Sequence, residues 1–335
     1  MTAHTLAPVL IVGGSGVVGA QAAHALRRLH PQLPIAIGGR DLGKAQAVAD
    51  AVGGASAVRI DLQRIDLGLA ADARYSAVIV FVKDAGLNTL KYAQAQGLPY
   101  LSTSSGSFEI APEVARHLRA PGAAPILLAS HWLAGAATLP ALYYAREFAR
   151  IDRIDLSALL DEQDMGGPAA AADYERLISA AGAQVLEDGQ WRWLRGDEAV
   201  RDIRSVDGVA VQGAAYSPLD VVTLAAATDA HSIRLDMALG VSASRRRGEA
   251  YSTEIAIEIE GEGHDGQPLR ARHELVHPAG QAPLTALSIA LGIERLLGLA
   301  GGDAVAPGLY FPDSLIAPDY YLQRLHEAGV RTARV

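Results

Sequence analysis

Four apolar residues run directly into a glycine-rich turn, VLIVGGSGVVG, and this pattern constrains the fold of the chain more than any other. Val9 to Val12 predict a buried strand, and Ala20 to Leu29 predict a helix behind the turn. A strand, a tight turn and a helix bring the unpaired N–H groups of the helix N-terminus to one point, where they can bind a pyrophosphate. The sequence therefore predicts a dinucleotide-binding site.

Three glycines have separate predicted roles in this turn. Gly14 allows the tight turn, Gly16 lets the backbone approach the phosphates, and Gly19 lets the helix lie close against the strand. The alternative is a glycine-rich β–α turn that binds nothing. The flanking strand and helix favour the dinucleotide site.

The end of the second predicted strand indicates which cofactor is preferred. Ile35–Ile37 is followed by two glycines and Arg40, whereas an NAD-preferring site usually places an acid there for the ribose 2′-hydroxyl. The Arg40 guanidinium can pair with a 2′-phosphate through two parallel hydrogen bonds, and Lys44 adds charge nearby. The sequence thus favours NADP over NAD. Asp41 either bonds a ribose hydroxyl or caps the helix that begins at Leu42.

Composition limits the class of protein and its partners. The 335 residues are 50% apolar and 20% charged, which suits two globular domains with a large core. The net charge of −8 argues against a nucleic-acid partner, and the absence of cysteine excludes disulfides and thiol chemistry. Neither a signal peptide nor a membrane span is predicted. We therefore expect a cytoplasmic protein that acts on a small molecule.

The order of predicted elements changes near residue 150. Before it, short β-branched runs alternate with amphipathic helices, which indicates an α/β fold with a doubly wound parallel (Rossmann) sheet. After it, alternating strands surround a hairpin signal at Asp265-Gly266, which indicates a second α+β domain with a mostly antiparallel sheet. We predict a dinucleotide-binding domain at 1–133 and a substrate and dimerisation domain at 134–307. Segment 308–335 is expected to return and pack on the first domain.

A zinc-protease motif, HELVH, covers His273 to His277. Its mechanism needs a helix, which brings both histidines to one ion. Here Leu269–His277 alternates as a strand and Pro278 follows directly. Residues four apart in a strand are about 13 Å apart, so we predict no metal site.

The carboxyl ends of the predicted strands name the candidates for chemistry, because ligands of doubly wound sheets bind there. Hydride transfer to C=O or C=N needs a proton donor. Lys83 and Asp84 follow the fourth strand, His131 follows the sixth, and His231 opens a strand of the second domain. Their structural alternatives are a Lys83–Asp84 ion pair, a core histidine and a surface histidine. Ser104, after the fifth strand, is expected to bond the backbone or the cofactor.

Four features of the chain carry a family resemblance: the opening glycine turn, GGRD after the second strand, the stretch from Tyr92 to Ser105, and the ending Gly308–Pro312. The resemblance is to the saccharopine dehydrogenase-like family of NADP-binding reductases. It implies reduction of an imine formed between an amino group and an oxo acid, or the reverse oxidation of a secondary amine. It also implies that the second domain makes dimer contacts and binds the substrate.

The resemblance also assigns roles by position. It implies that Arg40 binds the adenosine phosphate and that Asp61 and Leu62 lie near the adenine. The residues that it places on the pyrophosphate are Gly14, Ser15, Gly16, Val17 and Val18. Two departures at the substrate end, Lys83-Asp84 for small residues and Ser102 for an acid, suggest a substrate different from saccharopine.

These observations lead to one main hypothesis. The chain is expected to be an NADP-dependent oxidoreductase, assembled as a homodimer, that acts on a C=N or C–N bond of an amino-acid-derived, saccharopine- or opine-like substrate. The alternatives are a reductase of a carbonyl or activated C=C bond, and a regulator that senses NADP without turnover.

Overall fold

The computed structural model describes residues 6–164, 166–179 and 182–335. The strands in these ranges are β1 Val9–Val12, β2 Ile35–Gly39, β3 Ala55–Arg59, β4 Ala77–Val80, β5 Tyr100–Ser102, β6 Pro125–Leu128, β7 Phe148–Asp161, β8 Ala183–Glu187, β9 Gln190–Leu194, β10 Val200–Arg204, β11 Ala210–Ala215, β12 Ser232–Gly240, β13 Thr253–Gly263, β14 Pro268–His277, β15 Gly308–Tyr310 and β16 Arg331–Arg334. The α-helices are α1 Val17–Leu29, α2 Leu42–Val52, α3 Asn88–Gln96, α4 Ala111–Arg119, α5 Thr138–Tyr144, α6 Pro168–Ser179, α7 Asp220–Ala227, α8 Ala243–Arg246, α9 Gln281–Leu296, α10 Pro312–Leu315 and α11 Pro318–Glu327.

Seven parallel strands form the first sheet, in the order β15-β6-β5-β4-β1-β2-β3. The chain leaves β1 toward β2 on one side and later returns to β4 on the other. This reversal opens a crevice at the carboxyl ends of β1 and β4, which is where such sheets bind their ligands. The predicted doubly wound parallel sheet is confirmed.

Helices cover both faces of this sheet, because alternate residues of each strand point to opposite sides. Val9 and Ile11 lie in a core cluster with residues of α1, α2 and α9. Leu10 and Val12 lie in a second cluster with residues of α3 on the opposite face. Burial on both faces explains why β1 is a continuous apolar run.

The second sheet has nine strands, arranged as β10-β11-β12-β7-β13-β14-β16 with β8 and β9 attached to β12. Only β7 and β12 pair in parallel among these described strands. The predicted second domain with a mostly antiparallel sheet is therefore confirmed. The HELVH motif lies in β14, where His273 stacks on Tyr144 with ring centroids 3.7 Å apart and its Nε2 lies 3.0 Å from Glu147.

The segment 308–335 divides between the two sheets. Strand β15 pairs with β6 at the edge of the first sheet. Helix α11 packs against α5, and β16 pairs with β14 of the second sheet. Helix α9 belongs to the predicted second domain, yet it packs on α1 of the first domain. The two halves thus share a continuous interface.

Among the described residues, no helix has both the length and the apolar character needed to cross a membrane.

Candidate functional site

A cleft of about 1530 Å³ lies between the two sheets. One wall is formed by the carboxyl ends of β1 to β6 and the loops that follow them. The other is formed by α6, the end of β12 and the start of α9. The cleft therefore combines the crevice of the first sheet with surface from the second domain, an arrangement typical of two-domain ligand sites.

The tight turn after β1 is made by Gly13, which has φ +81°. Gly14, which the sequence assigned to this turn, closes it: its N–H bonds Ile11 O and Gly38 O at 3.1 Å, and a Cβ there would lie 2.8 Å from Ile11 O. Gly19 is required by packing. A Cβ there would lie 2.4 Å from the Gly13 carbonyl oxygen, so α1 could not approach the turn so closely.

The N-terminus of α1 opens into the cleft. The helix begins at Val17, earlier than the predicted Ala20, and Gly16 precedes it without any side-chain cap. The space beside Gly16 is open: within 4 Å, a Cβ there would meet only the Gly13 oxygen, which would lie 3.2 Å away. The first amides of a helix lack internal partners and attract anions. Ser15, Gly16, Val17 and Val18 line the cleft around these amides, which leaves a cradle fit for a diphosphate.

Exposed cations surround the far end of the cleft, beyond β2 and β3. Arg40, Lys44 and Arg59 line it, and none forms an ion pair with a carboxylate in the described part of the chain. Arg64 also lines it, but is held by Asp66 at 2.7 Å. The sequence did not single out Arg59, because only the pairing of β2 with β3 brings its side of the sheet to the cleft.

Asp41 and Asp61 have local hydrogen bonds at this end. The Asp41 carboxylate accepts the Lys44 N–H at 3.0 Å, so it caps α2, as one of the two open interpretations proposed. Asp61 accepts the Gln63 N–H at 2.9 Å and lines the cleft together with the half-buried Leu62.

The side chains of Lys83 and Asp84 have different surroundings, although the two residues are adjacent in the chain. Lys83 lines the cleft, and its Nζ lies 3.1 Å from Glu109 rather than pairing with Asp84. Asp84 is buried and accepts the Thr89 N–H and hydroxyl at 2.7 and 2.8 Å. Asp84 therefore holds the start of α3 and is not among the residues that line the cleft.

The two histidine candidates also lie in different places. His131 lines the cleft but is buried, with Nε2 2.7 Å from the Thr223 hydroxyl. Burial lowers the pKa of His131 to about 3, so the ring is neutral at physiological pH. His231 is exposed at the start of β12 and lies outside the cleft. It therefore does not reach across the cleft as expected.

Ser104 is buried beneath the cleft wall, and its carbonyl accepts a hydrogen bond from Arg176 at 2.9 Å. Thr103, one residue earlier, lines the cleft instead. Arg176 also bonds Glu109 at 2.9 Å and Asp173 at 2.6 Å. These bonds fasten α6 across the loop that follows β5, so that α6 forms one side of the cleft.

Two residues in the site were missed from the sequence. Tyr216 follows β11 and lines the cleft, where burial raises the pKa of its hydroxyl and keeps it protonated at neutral pH. Asp220 lies behind the cleft wall at the start of α7 and is fully buried. Neither belongs to a local motif, and only the long-range packing of the second domain brings them to the site.

Asp220 holds a strained turn at the end of β6. Leu133 and Ala134 have φ of 47° and 56°, left-handed values that cost about 1–2 kcal/mol for each non-glycine residue. The Asp220 carboxylate accepts the Trp132 N–H at 2.6 Å and the Thr138 hydroxyl at 2.5 Å. Because residues 130–134 line the cleft, Asp220 positions that wall without touching a ligand.

The pH dependence of folding should report on Asp220. Burial raises the pKa of its carboxyl from 3.8 to about 6, so between these values the folded chain binds more protons than the unfolded chain and stability falls as pH rises. Relative to the wild type, the free energy of unfolding of Asp220→Asn should rise by about 2 kcal/mol between pH 4.5 and pH 7. Urea unfolding of both proteins at each pH measures this difference. The amide can still accept from Trp132 and donate to Thr138. Parallel curves for the two proteins would contradict this account.

Comparison with known proteins bears on the fold. Saccharopine dehydrogenase (L-Glu forming) from Saccharomyces cerevisiae, in its apo form, matches with a TM-score of 0.68 at 15% identity, over 98% of this chain and 100% of that chain. A myo-inositol dehydrogenase from Lactobacillus casei, in complex with NAD(H) and myo-inositol, gives a TM-score of 0.49 at 12% identity, over 98% of this chain and 97% of that chain. No family model and no curated protein matches the sequence. The first likeness confirms the resemblance at the level of the fold: this chain folds as saccharopine dehydrogenase does.

Proposed function

We propose that this protein is an NADP-dependent oxidoreductase that acts on a C=N or C–N bond of an amino-acid-derived substrate. One observation carries the proposal. The uncapped N-terminus of α1 opens into a cleft that has a wall from the second domain at one end and, at the other, cations that pair with no carboxylate among the described residues. The saccharopine dehydrogenase-like fold supports the same class of reaction.

The residues at the site fit a nicotinamide dinucleotide. The amides after Gly16 would hold the pyrophosphate, since they combine free N–H groups with the helix dipole. Arg40, Lys44 and Arg59 would surround a 2′-phosphate on the adenosine ribose, because each lines that end of the cleft. The nicotinamide would lie over the ends of β4 to β6, near Lys83 and His131.

When bound, the reduced cofactor supplies a hydride to the carbon of the C=N bond, and the nitrogen then needs a proton. We assign that proton to Lys83, whose ammonium lines the cleft. Neutral His131 lacks the extra proton, Asp84 faces Thr89, and His231 lies outside the cleft. A C–H and an N–H bond form as the C=N double bond becomes single.

Glu109 holds Lys83 in place. Burial opposes ionisation of this carboxyl, yet hydrogen bonds from Arg176, the Gly106 N–H and Lys83 outweigh burial and keep its pKa below the ordinary value. An ionised Glu109 orients the ammonium at 3.1 Å. The Arg176 bonds to Glu109 tie this orientation to the position of α6.

Cofactor choice can be tested at Arg40. Arg40→Ala should raise the KM for NADPH about 10- to 100-fold and change the KM for NADH little, since a charge-assisted hydrogen bond contributes about 1.5–3 kcal/mol. Steady-state oxidation of each cofactor, with an amine and a 2-oxo acid as substrates, measures both constants. Arg64→Ala is the matched control, because that guanidinium lies on the same rim but is bound by Asp66. Equal effects of Arg40→Ala on the two cofactors would contradict the phosphate role.

The same assay separates an enzyme from a sensor. Calorimetry should detect tight binding of NADPH by the purified protein. Tight binding with no turnover, across a range of amine and oxo-acid pairs, would favour an NADP-sensing regulator. Failure to bind either NADPH or NADH would end the proposal.

A further inference from the structure

We propose that the substrate of this enzyme is largely apolar and carries at most one carboxylate, unlike a saccharopine-type polycarboxylate. The inference rests on the proposed function and narrows it. It follows from the part of the cleft beyond the nicotinamide position, which we call the substrate half. Loops at the ends of β4 to β6 form one side of this half, and α6 and the end of β12 form the other.

Apolar side chains make up most of the surface of the substrate half. They come from at least four separate elements, so the character of the surface does not depend on any single loop. They include Trp132, Leu133, Leu160, Leu177 and Met237. A ligand gains affinity here by removing apolar area from water, at about 25 cal/mol per Å².

Positive charge is scarce in the substrate half. Of the described residues that line it, Lys83 is the one Lys or Arg, and it is already paired with Glu109. Arg176 lies close by but does not line the cleft, and Glu109 and Asp173 engage it. His131 is neutral because burial lowers its pKa to about 3.

Apart from Lys83, the side chains of the substrate half that can carry a full charge near pH 7 are acids. Asp173 lines the substrate half from α6, and Asp164 lines it from the loop after β7. Asp164 is buried and accepts hydrogen bonds from Thr253 at 2.9 Å and the Gln281 N–H at 2.7 Å. A second substrate carboxylate would meet these oxygens without a cation to offset its desolvation, which costs several kcal/mol.

The opposite end of the same cleft shows the contrast. Arg40, Lys44 and Arg59 line the adenosine end, and none has a carboxylate partner within residues 6–164, 166–179 and 182–335. Cations without such partners therefore occur in this cleft, and they are concentrated where the proposed cofactor needs them. The low positive charge of the substrate half is a property of that half and not of the chain.

Hydroxyl groups remain to bind one carboxylate. Ser130 lines the cleft and its oxygen accepts the Ser105 N–H at 3.0 Å, which leaves the hydroxyl hydrogen to donate. The protonated hydroxyl of Tyr216 is a second donor. Two neutral donors suit a single carboxylate beside an apolar side chain, as in the imine of a branched or aromatic 2-oxo acid.

Two 2-oxo acids that share one head group provide the test. The probes are 4-methyl-2-oxopentanoate, which ends in an isopropyl group, and 2-oxoglutarate, which ends in a carboxylate. Calorimetry on the NADP⁺-loaded protein should show that the first binds more tightly by about tenfold or more. NADPH oxidation with methylamine should give the same preference in kcat/KM. Equal or tighter binding of 2-oxoglutarate, or binding of neither acid, overturns the inference.

A charge added to the wall gives a second readout. Met237→Lys puts an ammonium into the substrate half and should narrow the ratio of the two dissociation constants by about tenfold. Ile178→Lys is the control, since Ile178 is exposed on α6 outside the cleft. An unchanged ratio in Met237→Lys would count against the inference. If the wild-type protein did not bind NADPH at all, the proposed function itself would fail. Failure of the substrate inference and failure of the proposed function therefore give different results.

Discussion

Replacing Gly16 with alanine should weaken the binding of NADPH by about 100-fold, or about 2.7 kcal/mol, and leave the melting temperature nearly unchanged. The residue is exposed, and a Cβ there has only the Gly13 oxygen, at 3.2 Å, within 4 Å. The folded protein can therefore accept the methyl group. A phosphate that approaches the first amides of α1 cannot, since the methyl occupies the space that its oxygens need. Calorimetry and thermal unfolding measure the two effects separately.

Gly19→Ala is the matched comparison, because it adds the same methyl group one turn later. Its Cβ would lie 2.4 Å from the Gly13 oxygen and 2.8 Å from the Gly14 Cα, both backbone atoms that cannot move aside. This variant should lose about 2–4 kcal/mol of stability, and its melting temperature should fall clearly. If Gly16→Ala kept its affinity for NADPH, the turn would not be the pyrophosphate site.

The first sheet could be predicted from the sequence because its evidence is local. The run from Val9 to Val12 is apolar at every position, since both faces of β1 are covered by helices. The turn that follows it needs Gly13 for its positive φ and Gly19 for the close approach of α1. The hairpin of β13 and β14 was equally accessible, because strict alternation on both sides of Asp265-Gly266 fixes its register.

Contacts between distant segments could not be predicted in this way. The loop before α7, which begins at Asp220, is an example. The Leu219 N–H bonds Ser130 O at 3.2 Å, and Ser217 O accepts the Ser107 hydroxyl at 3.2 Å. Tertiary hydrogen bonds to the first domain hold this loop, and no local pattern encodes them.

The proton-donor candidates show the same limit. Sequence position correctly indicated the strand ends. It could not tell a side chain that faces the cleft from one that is buried against a structural partner. Asp84 and Lys83 are neighbours in the chain, yet one faces Thr89 and the other lines the cleft. The partner that distinguishes them, Glu109, lies in a loop with no motif of its own.

Lys83→Met should lower kcat for imine reduction by about 100- to 10 000-fold, the usual contribution of a positioned proton donor. Its affinity for NADPH should remain near that of the wild type, because the cations at the adenosine end and the amides of α1 are untouched. Single-turnover oxidation of bound NADPH measures the chemical step directly, and calorimetry measures the cofactor affinity.

The choice of methionine keeps the length and apolar stem of lysine and removes only the ammonium. Lys91→Met is the control, because Lys91 lies on α3, outside the cleft. This variant should keep the kcat of the wild type. Glu109→Gln should produce a smaller loss, since the ammonium remains but its 3.1 Å partner loses its charge. Because proton donation matters only in the chemical step, a loss confined to KM would assign Lys83 to substrate binding. The proton would then have to come from another group at the cleft, such as the Tyr216 hydroxyl, which burial keeps protonated.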